Sequence, residues 1–395
     1  MIQMMNENDK IQEFSLFGGL LHQLGCRLGL VRERTNTIRL GFALGMLAWG
    51  ILMLLAFLHG VGFKMFSLSL IGVHIRLLVA VPLFFLCETL VVPRMAEFIS
   101  NLVKSGIVPE AELPALASDI RRVGRIKDSW LAEIIFLLAA FTLPLIGMIF
   151  NMPGTGKTGN WAWILEQAGG RINWVNGWYL LFCLSLFRFL IFRWLWHLGL
   201  WCYFLWRVER LNLHLIPTHP DCTAGLGYLE VVQEHFSPLA MAISVVLSAQ
   251  FAEDISSGTM AFETLYRFIP IVLIMNAVLF MGPLFIFSPK LWKCRVTGLN
   301  EYMVMASQYV NVFDHKWIRG GRMVVESDLD TPDLQSLADL TNSVNVVRKM
   351  RWIPAGRRLI MGLFASVILP MLPLFLLKYP VTELAEKLFE ALSGL

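Results

Sequence analysis

Seven uninterrupted apolar stretches constrain this chain more than any other feature. They cover residues 40–59, 71–92, 130–150, 177–206, 236–252, 268–287 and 359–377. A helix needs about 20 apolar residues to cross the ~30 Å hydrocarbon core of a bilayer, and a membrane strand needs about half that number. Inside that core only helices and closed barrels satisfy their own backbone. The expected fold class is therefore an all-α integral membrane protein with about seven transmembrane helices. Composition agrees: 56% of residues are hydrophobic, 16% are charged and mean hydropathy is +0.62, where soluble domains carry about a quarter charged residues. A soluble enzyme, a disordered chain and a small secreted scaffold are excluded.

The stretches are uneven. The first, third, sixth and seventh are clean, and the second carries Arg76 and Glu88. The fourth is longer than one bilayer and holds Arg188 and Arg193. The fifth, with Ser244, Ser248 and Gln250, is the weakest, and a re-entrant or interfacial helix is its alternative.

Basic residues set the orientation, because Lys and Arg accumulate on the cytoplasmic side. With the N-terminus inside, cytoplasmic segments hold 24 of the 33 Lys and Arg and outer segments hold 7, Arg76 near the outer end of the second stretch counted among them. Arg188 and Arg193, within the fourth stretch, make up the rest. Losing the fifth span would strand the most basic segment, 290–358, outside, so the charge bias supports that span. Seven spans with an inner N-terminus are opposite to a G-protein-coupled receptor. The first apolar run begins at Leu40, too far in for a cleavable signal. Cys87, Cys183 and Cys202 fall within spans and Cys26, Cys222 and Cys294 on the cytoplasmic side, as expected for reduced thiols. The net charge of +4 follows from the same bias and gives no reason to expect nucleic-acid binding.

The chain then divides as follows. Residues 1–39 form a cytoplasmic amphipathic segment in which Phe14, Phe17, Leu21, Leu24, Leu28 and Val31 make one helical stripe; its reading is a membrane-surface helix. Residues 40–288 hold six spans, with a cytoplasmic helical hairpin at 94–128 turning at Pro109 and Pro114, and a His-Pro-Asp loop at 211–235. Residues 289–357 are a cytoplasmic helical segment: one helix lies near 298–313, and another begins at Thr331-Pro332 with the seam Leu334, Leu337, Leu340, Val344, Val347. Residues 358–395 contain the last span and a short tail.

Three features are candidates for chemistry. The first is the loop Ile216-Pro217-Thr218-His219-Pro220-Asp221-Cys222-Thr223-Ala224-Gly225-Leu226-Gly227-Tyr228-Leu229. Its prolines stiffen the display of Thr218, His219 and Asp221, and Gly225 and Gly227 allow close backbone approach. His219 and Asp221 are weak metal-ligand candidates. Without a CxxC or HExxH spacing, the better reading is a rigid structural loop, and no cofactor is expected.

The second feature is charge inside the bilayer, which is costly and normally faces a partner or water. Depth matches Arg193 with Glu88 or Glu133, either as a bundle-stabilising pair or, with Arg188, as the positive lining of an anion path. The third is the small face Ser237, Met241, Ser244, Ser248, Ala252 of the fifth span. It serves a tight helix contact or, through Ser244 and Ser248, a pore wall. Gly41, Gly45 and Gly50 read as packing positions. Gly154-Thr155-Gly156-Lys157-Thr158 lacks the first glycine of a phosphate loop. The many aromatics of the fourth stretch, Trp194 and Trp201 among them, read as lipid-facing bulk.

The His-Pro-Asp loop resembles the Pro-Thr-His-Pro-Asp-x-x-Gly-Gly-Leu-Gly-x-Leu loop of a family of uncharacterised bacterial multi-pass inner-membrane proteins. Asp314-His315-Lys316-Trp317 and the run 333–343 are similar to the same family, and Ala224 replaces the loop's first glycine. The resemblance implies a bacterial inner-membrane location and transfers no activity. The functional expectation is an oligomeric ion channel or pore, a homo-oligomer in the lipid bilayer passing small ions. The alternatives are a membrane-embedded metal-dependent enzyme using His219 and Asp221, and a non-catalytic scaffold or sensor.

Overall fold

A computed structural model describes residues 37–127, 129–149, 174–319 and 332–378. No strand occurs among the described residues. The helices are α1 (Ile38–Leu58), α2 (Leu68–Lys104), α3 (Leu113–Lys127), α4 (Trp130–Ile149), α5 (Tyr179–Glu209), α6 (Tyr228–Ser256), α7 (Phe262–Ile318), α8 (Pro332–Lys349) and α9 (Arg357–Leu377). Six of them, α1, α2, α5, α6, α7 and α9, are long and apolar enough to cross a membrane. The amphipathic stripe at 14–31, the 154–158 string, Thr331 and the tail beyond residue 378 lie outside the described residues.

The bundle has two ends of different character. At one, which we call the basic end, the turn after α2, helix α3, the 207–235 loop and the 290–358 segment meet. Their contacts include His214 N–H to Ile107 O (2.7 Å), Arg207 to Asp119 (2.7 Å), Arg351 to Glu230 (3.0 Å) and Arg358 to Glu234 (2.8 Å). At the opposite end Arg76 meets Tyr179, Gly72 meets Glu253 and Lys378 meets Glu263.

Helix α6 contains the apolar stretch that hydropathy ranks lowest, yet it shares with α2 the deepest burial of the six. It packs on α2 along one side and on α9 along another. A helix enclosed by protein does not need the apolar surface that a lipid-facing helix does, so hydropathy undervalues it. The aromatics of α5 correct the lipid-facing reading for the same reason. Trp201, Trp194, Phe187 and Phe189 are buried; Trp201 stacks on Phe204 and meets Phe98 edge-on, and Phe187 packs on Phe84. Because α5 is aromatic all round, no periodicity marked which side faces protein; Leu181, Leu195 and Trp206 do face outward.

Gly41 and Gly45 bring α1 close to α2: a Cβ would stand 2.7 Å from Phe85 and 2.3 Å from the Leu77 carbonyl, respectively. Gly50 is a correction, since it is exposed and a Cβ there would meet nothing. Helix α7 is 57 residues long in all; beyond its apolar part and the 3-10 turn Gly282–Phe287 it continues as the α-helix Ser288–Phe313. Its last third pairs with α8 through Leu334, Leu337, Leu340, Val344 and Val347, which alternate at the threes and fours of a two-helix seam.

Candidate functional site

Three sets of charged groups within the spanning helices bear on function. Arg193, midway in number between Tyr179 at one end of α5 and Arg207 at the other, is 3% exposed. It donates from Nη1 to Glu88 Oε2 (2.9 Å) and from Nη2 to Glu88 Oε1 (3.0 Å). Glu88, on α2, is 2% exposed. The two parallel bonds use both carboxylate oxygens, the strongest geometry a guanidinium offers. Of the two acids that depth matched with Arg193, Glu88 is the partner. Glu133 lies half-buried in the first turn of α4.

The second set lies at the opposite end. Arg76 donates to the Tyr179 hydroxyl (2.6 Å) and to Gln250 Oε1 (2.9 Å), with the Glu253 carboxylate in electrostatic range. Glu253, 6% exposed, accepts the Gly72 N–H at 2.8 Å. Both contacting chains are π-helical here, over Ile75–Ala80 and over Tyr179–Cys183. A π turn inserts one extra residue and re-aims the side chains around it, and these two turns carry the residues that meet. Sequence reasoning missed this cluster, having counted Arg76 as an outer charge. The available signal was a lone arginine early in an apolar stretch, which demands a partner.

The third set is Arg188 alone. It shares the outward stripe of α5 with Leu181 and Leu195, which are 54% and 48% exposed. Its side chain is half-buried, Nη1 is enclosed without a hydrogen-bond partner, and no ion pair reaches it among the described residues. Tyr179 and Arg76 act on it only at electrostatic range.

Ser244 and Ser248, proposed for a pore wall, sit at the α6–α9 seam. Ser244 Oγ donates to Val367 O (2.5 Å) and Ser248 Oγ to Pro370 O (2.7 Å). Val367 lies in the last turn of the α-helical part of α9 and Pro370 in the 3-10 stretch Leu369–Leu377 that follows; an i→i+3 bond to either carbonyl would need the nitrogen of residue 370 or 373. Both of those are prolines, which have no N–H. The two serines thus supply the donors that Pro370 and Pro373 remove, as neighbouring hydroxyls do for broken helices in lipid. The spacing fits as well: four α-helical residues and three 3-10 residues both rise about 6 Å.

The His-Pro-Asp loop closes on itself. Asp221 Oδ1 accepts the N–H groups of Thr223 (2.8 Å) and Gly225 (3.1 Å), and Oδ2 accepts that of Gly227 (2.8 Å). His219 Nδ1 stands 2.8 Å from Oδ1. Burial disfavours the Asp221 charge, but those three N–H groups and the His219 ring outweigh it and hold the carboxyl below its ordinary range. Gly225 adopts φ +98°, and a Cβ there would stand 2.5 Å from Ile107 Cδ1; Ala224 and Cys222 also have positive φ, 55° and 56°. Thr218 occupies the turn after Pro217. Arg351 ties the loop to the chain before α9, its N–H bonding Cys222 O at 2.7 Å. Among the described residues, no group of three His, Cys, Asp or Glu could hold a metal ion.

The geometry defines a multi-pass helical membrane protein with internally paired charges. No protein-family model, curated protein or solved structure matches the chain.

Proposed function

We propose that the chain is a seven-span membrane protein with its basic end in the cytoplasm, assembled as a homo-oligomeric channel for small anions with Arg188 on the conduction path. The observation that carries this reading is Arg188 itself. A guanidinium within a spanning helix is costly unless it faces a partner or water. Arg193 and Arg76 have partners, and Arg188 sits among exposed leucines with none among the described residues. On the outer surface of a monomer that position faces lipid. Around the axis of an oligomer it faces water and counter-ions.

The span count and orientation have separate support. Residues up to Lys127 belong to the basic end and Tyr179 to the opposite end, so the chain crosses between them, and α4 is the described helix there. With the described basic segments after α2, after α5 and in the α7–α9 region gathered at one end, that end belongs inside. Placement in a bacterial inner membrane rests on the resemblance of the loop. The projecting α7–α8 arm, with Met303, Val304 and Val312 exposed, supplies surface for contacts between copies. The metal-dependent enzyme reading is disfavoured by Asp221, whose two oxygens are occupied by backbone donors.

Flux through purified protein in liposomes tests the proposal. The expected result is chloride or nitrate flux that falls at least about tenfold in Arg188→Gln, the effect of about 1.4 kcal/mol on a barrier, and persists in Arg188→Lys. Absence of flux under both anion and cation gradients overturns the channel. Cation flux indifferent to Arg188→Gln overturns the anion path.

A further inference from the structure

An open cleft of about 750 Å³ lies at the basic end between α3, the start of α4, and α5. Its rim carries Arg122 and Arg125 from α3 and Ser129 from the α3–α4 link, with Tyr203 across from them on α5. Both arginines are exposed, and neither makes an ion pair or a hydrogen bond among the described residues. Of the nearby basic residues, Arg207 is paired with Asp119 and Arg210 lies over the Trp206 ring. None of the described residues lining the cleft is acidic.

The cleft changes character with depth. Past the rim its wall is Leu131 and Ile135, exposed on the face of α4. Opposite them is Trp196, which stands two turns along α5 from Tyr203 and packs edge-on against Phe136. The Trp196 Nε1–H is enclosed and has no hydrogen-bond partner among the described residues. An enclosed indole donor normally finds an acceptor; Trp196 lines the cleft, so an acceptor there reaches Nε1 once the ring turns toward it.

Two unpaired guanidiniums and two hydroxyls at the membrane surface, an orphaned donor beneath them and an apolar wall below match one kind of ligand in order of depth. We propose that this cleft binds an anionic phospholipid. Its phosphate lies against Arg122 and Arg125, with Ser129 and Tyr203 as further donors, a glycerol-ester carbonyl accepts from Trp196 Nε1, and an acyl chain runs along Leu131 and Ile135. Basic pockets between spanning helices are the usual seats of such headgroups. A free phosphate shares the arginine chemistry but leaves the indole donor and the apolar wall unused. The proposal rests on α4 and α5 crossing the membrane, not on which end faces the cytoplasm or on ion conduction.

The test is native mass spectrometry of the full chain released from symmetric nanodiscs, which present phosphatidylglycerol mixed with phosphatidylcholine at both ends of the bundle. The expected result is retained phosphatidylglycerol in preference to phosphatidylcholine. Each guanidinium contributes about fivefold to the affinity, so Arg122→Gln with Arg125→Gln weakens retention roughly twenty-fivefold. Arg121→Gln, outside the cleft, leaves it unchanged. Trp196→Phe keeps the ring and loses only the donor, and it weakens retention severalfold. Equal retention in the double arginine variant and the parent overturns the site. Displacement of the lipid by millimolar inorganic phosphate, with Trp196→Phe behaving as the parent, shows a phosphate-ion site and overturns the lipid assignment. Because both leaflets carry the anionic lipid, an inverted topology leaves this result unchanged and is detected separately by surface labelling.

Discussion

Arg193 and Glu88 are expected to behave very differently when removed singly and together. Either change alone, Arg193→Leu or Glu88→Leu, leaves a charge enclosed without its partner and costs about 3–5 kcal/mol of stability. The double change removes both charges from an apolar site and recovers most of that loss. Reversible unfolding of the four proteins in mixed micelles measures the coupling; additive losses would show that the pair does not act as a unit. Asp221 makes a second residue-scale prediction. Its carboxyl sits below the ordinary range when folded, so its contribution is complete above its unfolded value of about 4 and is lost as pH falls through the lower folded value. Parent stability should therefore decline below about pH 4, and Asp221→Asn should show less of that decline while losing on the order of 1–3 kcal/mol at neutral pH. Acid titration of loop unfolding, followed at an introduced probe, checks both parts.

At the scale of elements, the α6–α9 seam explains why a small polar face need not line water. Ser244→Ala and Ser248→Ala each leave a carbonyl where α9 passes from α-helix to 3-10 helix without a donor, and each is expected to cost about 0.6–1.7 kcal/mol, the range for hydrogen bonds between membrane helices. In a chain also carrying Pro370→Ala and Pro373→Ala, which restore the backbone N–H groups, the serine changes should cost less. Unchanged serine costs in that background would remove the link between serines and prolines. The same seam marks the limit of what the sequence disclosed. Apolar length located each of the six helices that are long and apolar enough to cross a membrane, because the bilayer imposes it on each helix separately. Which residues meet across helices was not legible: the prolines that orphan two carbonyls and the serines that serve them lie more than 120 positions apart. The Arg193–Glu88 contact was narrowed to two acids because burial of a charge demands an opposite charge at equal depth. The Arg76–Tyr179 contact stayed hidden because two π turns set it, and helical periodicity cannot anticipate them.

For the whole molecule, the bundle is an enclosed core of α2, α5 and α6 within a shell of helices. Arg193 and Arg76 are paired inside, and the described basic segments gather at one end. A monomer so arranged leaves Arg188 on an outward stripe, and the channel proposal turns on what that stripe faces. An image of the purified assembly at side-chain resolution measures this most directly. The account predicts a ring of identical copies with the Leu181–Arg188–Leu195 stripe of each α5 turned to a hydrated central axis, and with neighbouring α7–α8 arms touching. A single copy, or a ring in which Arg188 faces the surrounding lipid, contradicts it.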